Sequence, residues 1–180
     1  MGKPISARGS SRSLTTLWSE DMFHLESSFG TQHWIFTKIR HSSSKLTFSL
    51  FNIYVHVLSS KKKEWWESLS DFIDIYYPMN IILAGDFNIV LDPKEKRGGN
   101  NGRDQMLPFV EDISQQWDLL DFKPSKGLYT WTNNRIGVDH ISSLLDRFLV
   151  HSPFLLEKKL ISSKILPNIT SDHNLVLLLL

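Results

Sequence analysis

The chain has 180 residues, 41% of them hydrophobic and 12% aromatic, which is enough to bury one sizeable core and predicts a single domain. The 20 Lys and Arg against 19 Asp and Glu leave a formal net charge of +1, which excludes a global field that compels binding to nucleic acid or an anionic membrane and leaves only local patches to do so. Cysteine is absent, excluding disulfides and thiolate metal sites. With no apolar run of about eighteen residues and no apolar signal-peptide core, the expectation is a soluble, intracellular protein.

Residues 1–16 are rich in Ser, Gly and basic side chains with little to bury, and predict a disordered lead-in, with order beginning near Leu17 and Trp18 and one domain over 17–180. From Lys45 to Val57, large apolar or aromatic residues alternate with smaller polar ones, the period of a β-strand. Between Lys61 and Tyr77, Trp65, Leu69, Phe72, Ile73 and Tyr76 recur three or four apart and Pro78 follows, predicting an amphipathic helix. Ile81 to Gly85 is a short apolar run suited to a strand buried on both faces, so a β-α-β unit is expected. The stretch Lys96 to Gly102 predicts a surface loop. A second helix is expected around Met106, Phe109, Val110, Ile113 and Trp117, with Pro108 tolerable only in its first turn. Three more strands are predicted at Leu128 to Thr132, Leu144 to Val150 and Leu175 to Leu180, and helices layered over sheet follow from the whole pattern.

Candidate chemistry gathers at strand ends. In Gly85-Asp86-Phe87-Asn88, residues two apart on a strand point the same way, so Asp86 and Asn88 converge. Such a pair can orient and deprotonate a water while the amide donates to a charged oxygen, as phosphodiester hydrolysis requires; the plainer alternative is a turn in which both satisfy their own backbone. Asp172 and His173 stand just before the last strand, where Asp172 suits a hard cation and His173 a phosphate oxygen. Asp146 lies inside the apolar run Leu144 to Val150 and needs a partner if buried. His173 is the expected partner, with Arg147 as the alternative. Tyr54, taken on its own, reads as core packing.

The order of these signals carries more than any one of them. An Asn52-x-Tyr54 strand, Gly85-Asp86-Phe87-Asn88, Leu128-Tyr129-Thr130-Trp131, Leu145-Asp146-Arg147-Phe148 and Ser171-Asp172-His173-Asn174 together resemble the endonuclease/exonuclease/phosphatase superfamily. Within it, the last three segments look most like endonuclease domains of plant LINE-type (non-LTR) retrotransposons, and the resemblance runs from Leu17 to Leu180. It implies a four-layered α/β sandwich, two face-to-face β-sheets flanked by helices, with the site at one edge. It implies that Asp86 activates the attacking water and Asn88 helps hold the phosphate. Tyr54 then contacts the phosphate near the leaving oxygen, Asp146 orients His173, His173 stabilises the pentacovalent phosphate, and Asp172 assists the metal. Thr130 matches a residue beside the site and Asn52 one that shapes its floor.

Departures from the pattern shape the functional expectation. The family's first-strand Asn and its metal-binding Glu lie ahead of the matched region, so a domain incomplete at its N-terminus, poor in Mg²⁺ or Mn²⁺ binding and prone to aggregate if not monomeric, is expected. His56 stands where Pro is common, Leu144 where a basic residue is usual, Leu175 where Pro is common, and Arg12 and Ser13 where Gly-Gly is usual. Three functions are compatible with the residues. One is a metal-dependent endonuclease that nicks target DNA, by resemblance nuclear and once followed by a reverse transcriptase domain. Another is a non-catalytic relic with residual DNA binding through Lys61 to Lys63 and the Lys94 to Arg103 loop. The last is a phosphatase of the same superfamily.

Overall fold

A computed structural model describes residues 5–6, 14–100, 102–157, 162–168 and 170–179. Most of the expected lead-in therefore lies outside the described residues, but β1 (Ile5–Ser6) pairs antiparallel with β2 (Thr15–Thr16), so part of that stretch is a ladder. β3 (Phe23–Gly30), β4 (Trp34–His41) and β5 (Thr47–Tyr54) form an antiparallel meander. α1 (Ser59–Tyr76) then crosses over to β6 (Ile81–Asp86), which runs parallel to β5 as the expected β-α-β unit. β7 (Lys96–Arg97), α2 (Leu107–Gln116), β8 (Leu119–Asp121), β9 (Trp131–Thr132) and β10 (Ser142–Ser143) follow, then β11 (Asp146–His151), α3 (Ser152–Glu157), β12 (Ser162–Leu166) and β13 (Leu175–Leu179).

Six strands make the main sheet in the order β3-β4-β5-β6-β11-β8, and β12 pairs with β13 in a smaller one. Alternation along the strands divides the apolar residues between two cores. Phe51, Ile53, Leu83 and Leu149 pack beneath Trp65, Trp66 and Leu69 of α1 and Val110 and Ile113 of α2. Phe48, Ile82, Phe148 and Val150 face the other way, toward Val176 and Leu178 of β13 and Phe154 of α3. The result is the expected α/β sandwich with two sheets facing across the second core.

Helix α1 owes its place to its apolar stripe, and Trp65, Trp66, Leu69, Phe72 and Ile73 are all buried, each contributing about 1.5–3 kcal/mol of transfer free energy. It ends where Tyr77 turns left-handed, at φ 45°, and donates its N–H to the Ile73 carbonyl, ahead of Pro78. Pro108 sits in the first turn of α2, where its missing N–H costs no helical bond. The stretch Lys96 to Gly102 is only partly a loop. Its first two residues pair with β10, and a Cβ on Gly98 would meet the His140 carbonyl oxygen at 2.1 Å, so the backbone there is docked. The strand expected over Leu128 to Thr132 shrinks to Trp131–Thr132, because the carbonyls of Tyr129 and Thr130 accept from the side chain and the backbone of Asn174, which lies outside any strand.

Candidate active site

Strand register assembles the site. Asp86 is the last residue of β6, and its Cα is paired with Tyr54 on one side and Asp146 on the other. These three stand on the alternation face shared by Leu50, Ile82, Ala84, Phe148 and Val150, the face turned toward β13. Asp146 and His173 meet as expected, with His173 Nδ1 2.8 Å from Asp146 Oδ2. The hydrogen bond that His173 donates to Asp146 raises the His173 pKa above its ordinary value; burial opposes it, and the charges of Asp146, Asp86 and Asp172 add to it. Nδ1 donates to the carboxylate, so Nε2 is the ring nitrogen that gains or loses the titrating proton.

Asp86 and Asn88 also converge, but by a different route from strand alternation. The strand ends at Asp86 and Asn88 takes a left-handed φ of 50°. Its backbone N–H donates to Asp86 Oδ1 at 2.9 Å, and its side-chain Nδ2 donates to Asp86 Oδ2 at 3.0 Å and to the Val55 carbonyl at 2.8 Å. Both amide hydrogens of Asn88 are thus engaged, so in this arrangement the residue fixes Asp86 rather than presenting a donor to a substrate oxygen. The turn reading and the convergent reading of this motif describe one geometry.

Thr130 is fully buried, and its hydroxyl accepts the N–H groups of both Leu145 and Asp146 at 2.9 Å, locking the backbone from which Asp146 projects. Asp172 and His173 diverge. The Trp131 indole donates to Asp172 Oδ2 at 3.0 Å, and this bond is the first cause of a lowered Asp172 pKa, while His173 turns to Asp146. Asn52 lies away from that cluster, donating to the Thr15 carbonyl and the Thr16 hydroxyl, and so ties β5 to β2. The donors described do not assemble a cation site of their own. Among the described residues no three acidic or imidazole side chains lie close enough together to hold a metal, and Asp172, the metal ligand that the resemblance implies, is engaged by Trp131.

The sequence reading misses the structural roles of four supporting residues, Lys62, Arg147, Glu95 and Asp121. Lys62, 3% exposed, donates to the Asn88 carbonyl at 2.8 Å and meets Asp104 at 2.6 Å; a charge on the apolar stripe of a helix is the signal that marks it. Its buried amine is consequently not available to the DNA-binding patch suggested for Lys61 to Lys63, whereas Lys61 and Lys63 on either side are exposed. In the loop suggested for the same role, Lys96 donates to the Asn100 carbonyl and Arg103 is paired with Glu111. Arg147 does not pair with Asp146. It points to the opposite face, fully buried, and meets Glu95 and Asp121 at 2.9 Å each, while donating to the carbonyls of Leu144 and Ile89. Burial pushes the Glu95 carboxyl up, yet Arg147 and then Lys123 outweigh it and hold the pKa at about 2. Burial raises Asp121 despite the same guanidinium. The Asp92-x-x-Glu95 capping box is the sequence signal for Glu95; nothing comparable marks Asp121.

No family model matches the chain. A curated relative, the uncharacterized 149 kDa protein of transposon TX1 from Xenopus laevis, is 27% identical over 144 residues, covering 77% of this chain and 11% of that protein. The chain thus spans about a tenth of the length of this relative. Among solved structures, the endonuclease domain of TRAS1, a telomere-specific non-LTR retrotransposon, superposes with a TM-score of 0.76 at 14% identity, over 98% of this chain and 78% of that one. The 3′ phosphatase NExo from Neisseria, bound to a product DNA hairpin, gives 0.67 at 14% identity over 97% and 77%. An endonuclease/exonuclease/phosphatase family protein from Bacteroides thetaiotaomicron gives 0.60 at 13% identity over 97% and 73%. No helix among the described residues is long and apolar enough to cross a membrane. The resemblance read from the ordered motifs holds at the level of the fold: the chain carries the endonuclease/exonuclease/phosphatase fold, in a form similar to the endonuclease domain of a non-LTR retrotransposon.

Proposed function

We propose that the chain is a phosphodiester hydrolase of the retrotransposon endonuclease type, acting on DNA. The observation that carries this reading is the His173–Asp146 hydrogen bond held beside Asp86 across the β6–β11 ladder. Asp86, fixed at both oxygens by Asn88, orients the attacking water and takes its proton. His173, whose cationic form the hydrogen bond to Asp146 favours, donates from Nε2 to an oxygen of the pentacovalent phosphate, placing positive charge where negative charge develops. Tyr54, aligned with Asp86 on the neighbouring strand, offers its phenol to the same phosphate near the leaving oxygen. Asn88, Asp146 and Thr130 are positioning residues. The described donors do not complete a divalent-cation site, so no step of this mechanism passes through one.

That incomplete donor set favours a second reading, a non-catalytic relative that retains DNA binding. Nicking of supercoiled plasmid in Mg²⁺ or Mn²⁺ separates the two, with Asp86→Ala and His173→Ala as controls. The hydrolase reading expects nicking that both substitutions abolish. A soluble, folded chain that binds DNA but never nicks it sinks the hydrolase and leaves the binding reading.

A further inference from the structure

A second cluster of polar donors lies on the catalytic edge without any part in the mechanism above. A cleft of about 330 Å³ is lined by Thr31, Gln32, His33, His56, Lys61 and Ser68 over a floor of Trp34 and Trp65, with Glu64 as its one acid. Two backbone links set it beside the reacting groups. The amide of Tyr54 donates to the His33 carbonyl at 2.9 Å, and the next amide, that of Val55, donates to the Asp86 carbonyl at 2.8 Å. His56 follows one residue later.

We infer that His33, His56 and Lys61 form an anion cleft that takes a phosphate of the DNA backbone flanking the scissile one. The inference rests on the hydrolase reading for the source of the phosphate, but not for the cleft's affinity for phosphate itself. The donors are pre-set. Leu58 N–H donates to His56 Nδ1 at 3.0 Å, which makes Nδ1 the acceptor and leaves the Nε2–H to point elsewhere, so even neutral His56 is a donor. Thr31 Oγ1 accepts the amides of both His33 and Trp34 at 3.1 Å, bracing the turn that presents the His33 ring. The two imidazoles lie 6.4 Å apart, edge to face.

Lys61 is exposed on the first turn of α1 and has no ion pair among the described residues. Trp65 Nε1 in the floor is buried without an acceptor. Lys61 brings a fixed positive charge beside the two imidazoles. Burial first, then the charges of His56 and Lys61, lower the His33 pKa. A bound anion offsets the positive charge there, and because successive amides of β5 join His33 and Asp86, a DNA strand with its scissile phosphate at Asp86 offers the closely spaced phosphates beside it to this cleft.

Two measurements on the full chain test the inference. In the first, a labelled DNA duplex is titrated over a range of salt concentrations against wild type, Lys61→Ala and His33→Ala. The expected result is weaker binding for both variants, with the slope of log K against log salt shallower by about one for Lys61→Ala, which removes the fixed charge. Unchanged affinity and slope in both variants overturn it. In the second, inorganic phosphate is added while the histidine ring resonances are followed by NMR. The expected result is a saturable shift of His33 and His56 that Lys61→Ala weakens; no shift overturns the cleft outright. A chain that neither binds nor nicks DNA, yet shifts both rings with phosphate, fails the hydrolase reading and upholds the anion site.

Discussion

Thr130 carries two of the site's backbone constraints on one oxygen. Replacing it with Val keeps the volume and removes the acceptor for Leu145 and Asp146 N–H. Each buried amide left unsatisfied costs about 1–3 kcal/mol, so Thr130→Val is expected to lose about 2–6 kcal/mol in urea unfolding, whereas Thr130→Ser keeps the acceptor and loses far less. Equal losses for the two variants would show that the hydroxyl is not what holds this turn. Glu95 is the second residue whose environment makes a prediction. Its folded pKa of about 2 lies below its ordinary 4.5, so its contribution is fully present above about pH 4.5 and fades as pH falls toward 2. A shift of this size is worth roughly 3 kcal/mol. Asp121, raised by burial, works in the opposite sense, since protonating it relieves a cost. Stability measured from pH 7 to pH 2 isolates Glu95: Glu95→Gln should be less stable by a few kcal/mol at neutral pH and lose less than wild type between pH 4.5 and 2. Parallel curves would refute the assignment. Legibility at this scale follows chemical reach. Asp146 advertises itself as a carboxylate in an apolar run and its partner lies in another motif. The choice of His173 over Arg147 follows alternation along β11, which sends consecutive side chains to opposite faces.

Among the elements, the parallel pair β5–β6 sets the separation of Tyr54 and Asp86. Gly85 lies in that pair with φ 137°, and a Cβ there would stand 2.1 Å from the Ile53 carbonyl oxygen. Neither the backbone angle nor the space admits a side chain. Gly85→Ala is therefore expected to destabilise by more than about 2 kcal/mol, by thermal melt, and to displace Asp86 next to it. A fully stable variant would mean that the two strands are not held this close. The apolar run Ile81 to Ala84 and the helical stripe of α1 are legible because they are long in register and deeply buried. β3 is not, because its burial is slight along its whole length and its sequence, FHLESSFG, mixes charge, hydroxyl and aromatic residues with no period to detect. β12 is short and takes its structure from pairing with β13, a partner that no local pattern names. The convergence of Asp86 and Asn88 is legible as an outcome, but it is made by a left-handed turn that strand periodicity does not contain.

At the scale of the molecule, the two kinds of sheet edge are treated differently. β3, the edge of the main sheet, is interrupted by a register shift between Leu25 and Ser27, and Glu26 at that shift pairs with Lys38 and Arg40 at 3.2 Å each. An irregular, charged edge of this kind discourages another strand from adding to it. β13 has no such protection. Its sequence is Leu175-Val176-Leu177-Leu178-Leu179, its inward residues pack on the second core, and Leu175, Leu177 and Leu179 on the other face are exposed by 60%, 36% and 43%. Apolar residues on both faces are the composition of a strand covered on both sides, and among the described residues only β12 pairs with it. The isolated chain is therefore expected to self-associate through β13 as its concentration rises, by strand addition, face burial or both. Leu177→Lys places one charge in the middle of the exposed face without touching Val176, Leu178 or the catalytic edge. Sedimentation velocity should show a concentration-dependent increase in mass for wild type that Leu177→Lys suppresses, while an equivalent Lys at Leu25 on the protected β3 edge changes nothing. If wild type stays monomeric through high micromolar concentration, solvent tolerates the face and its composition does not call for a cover.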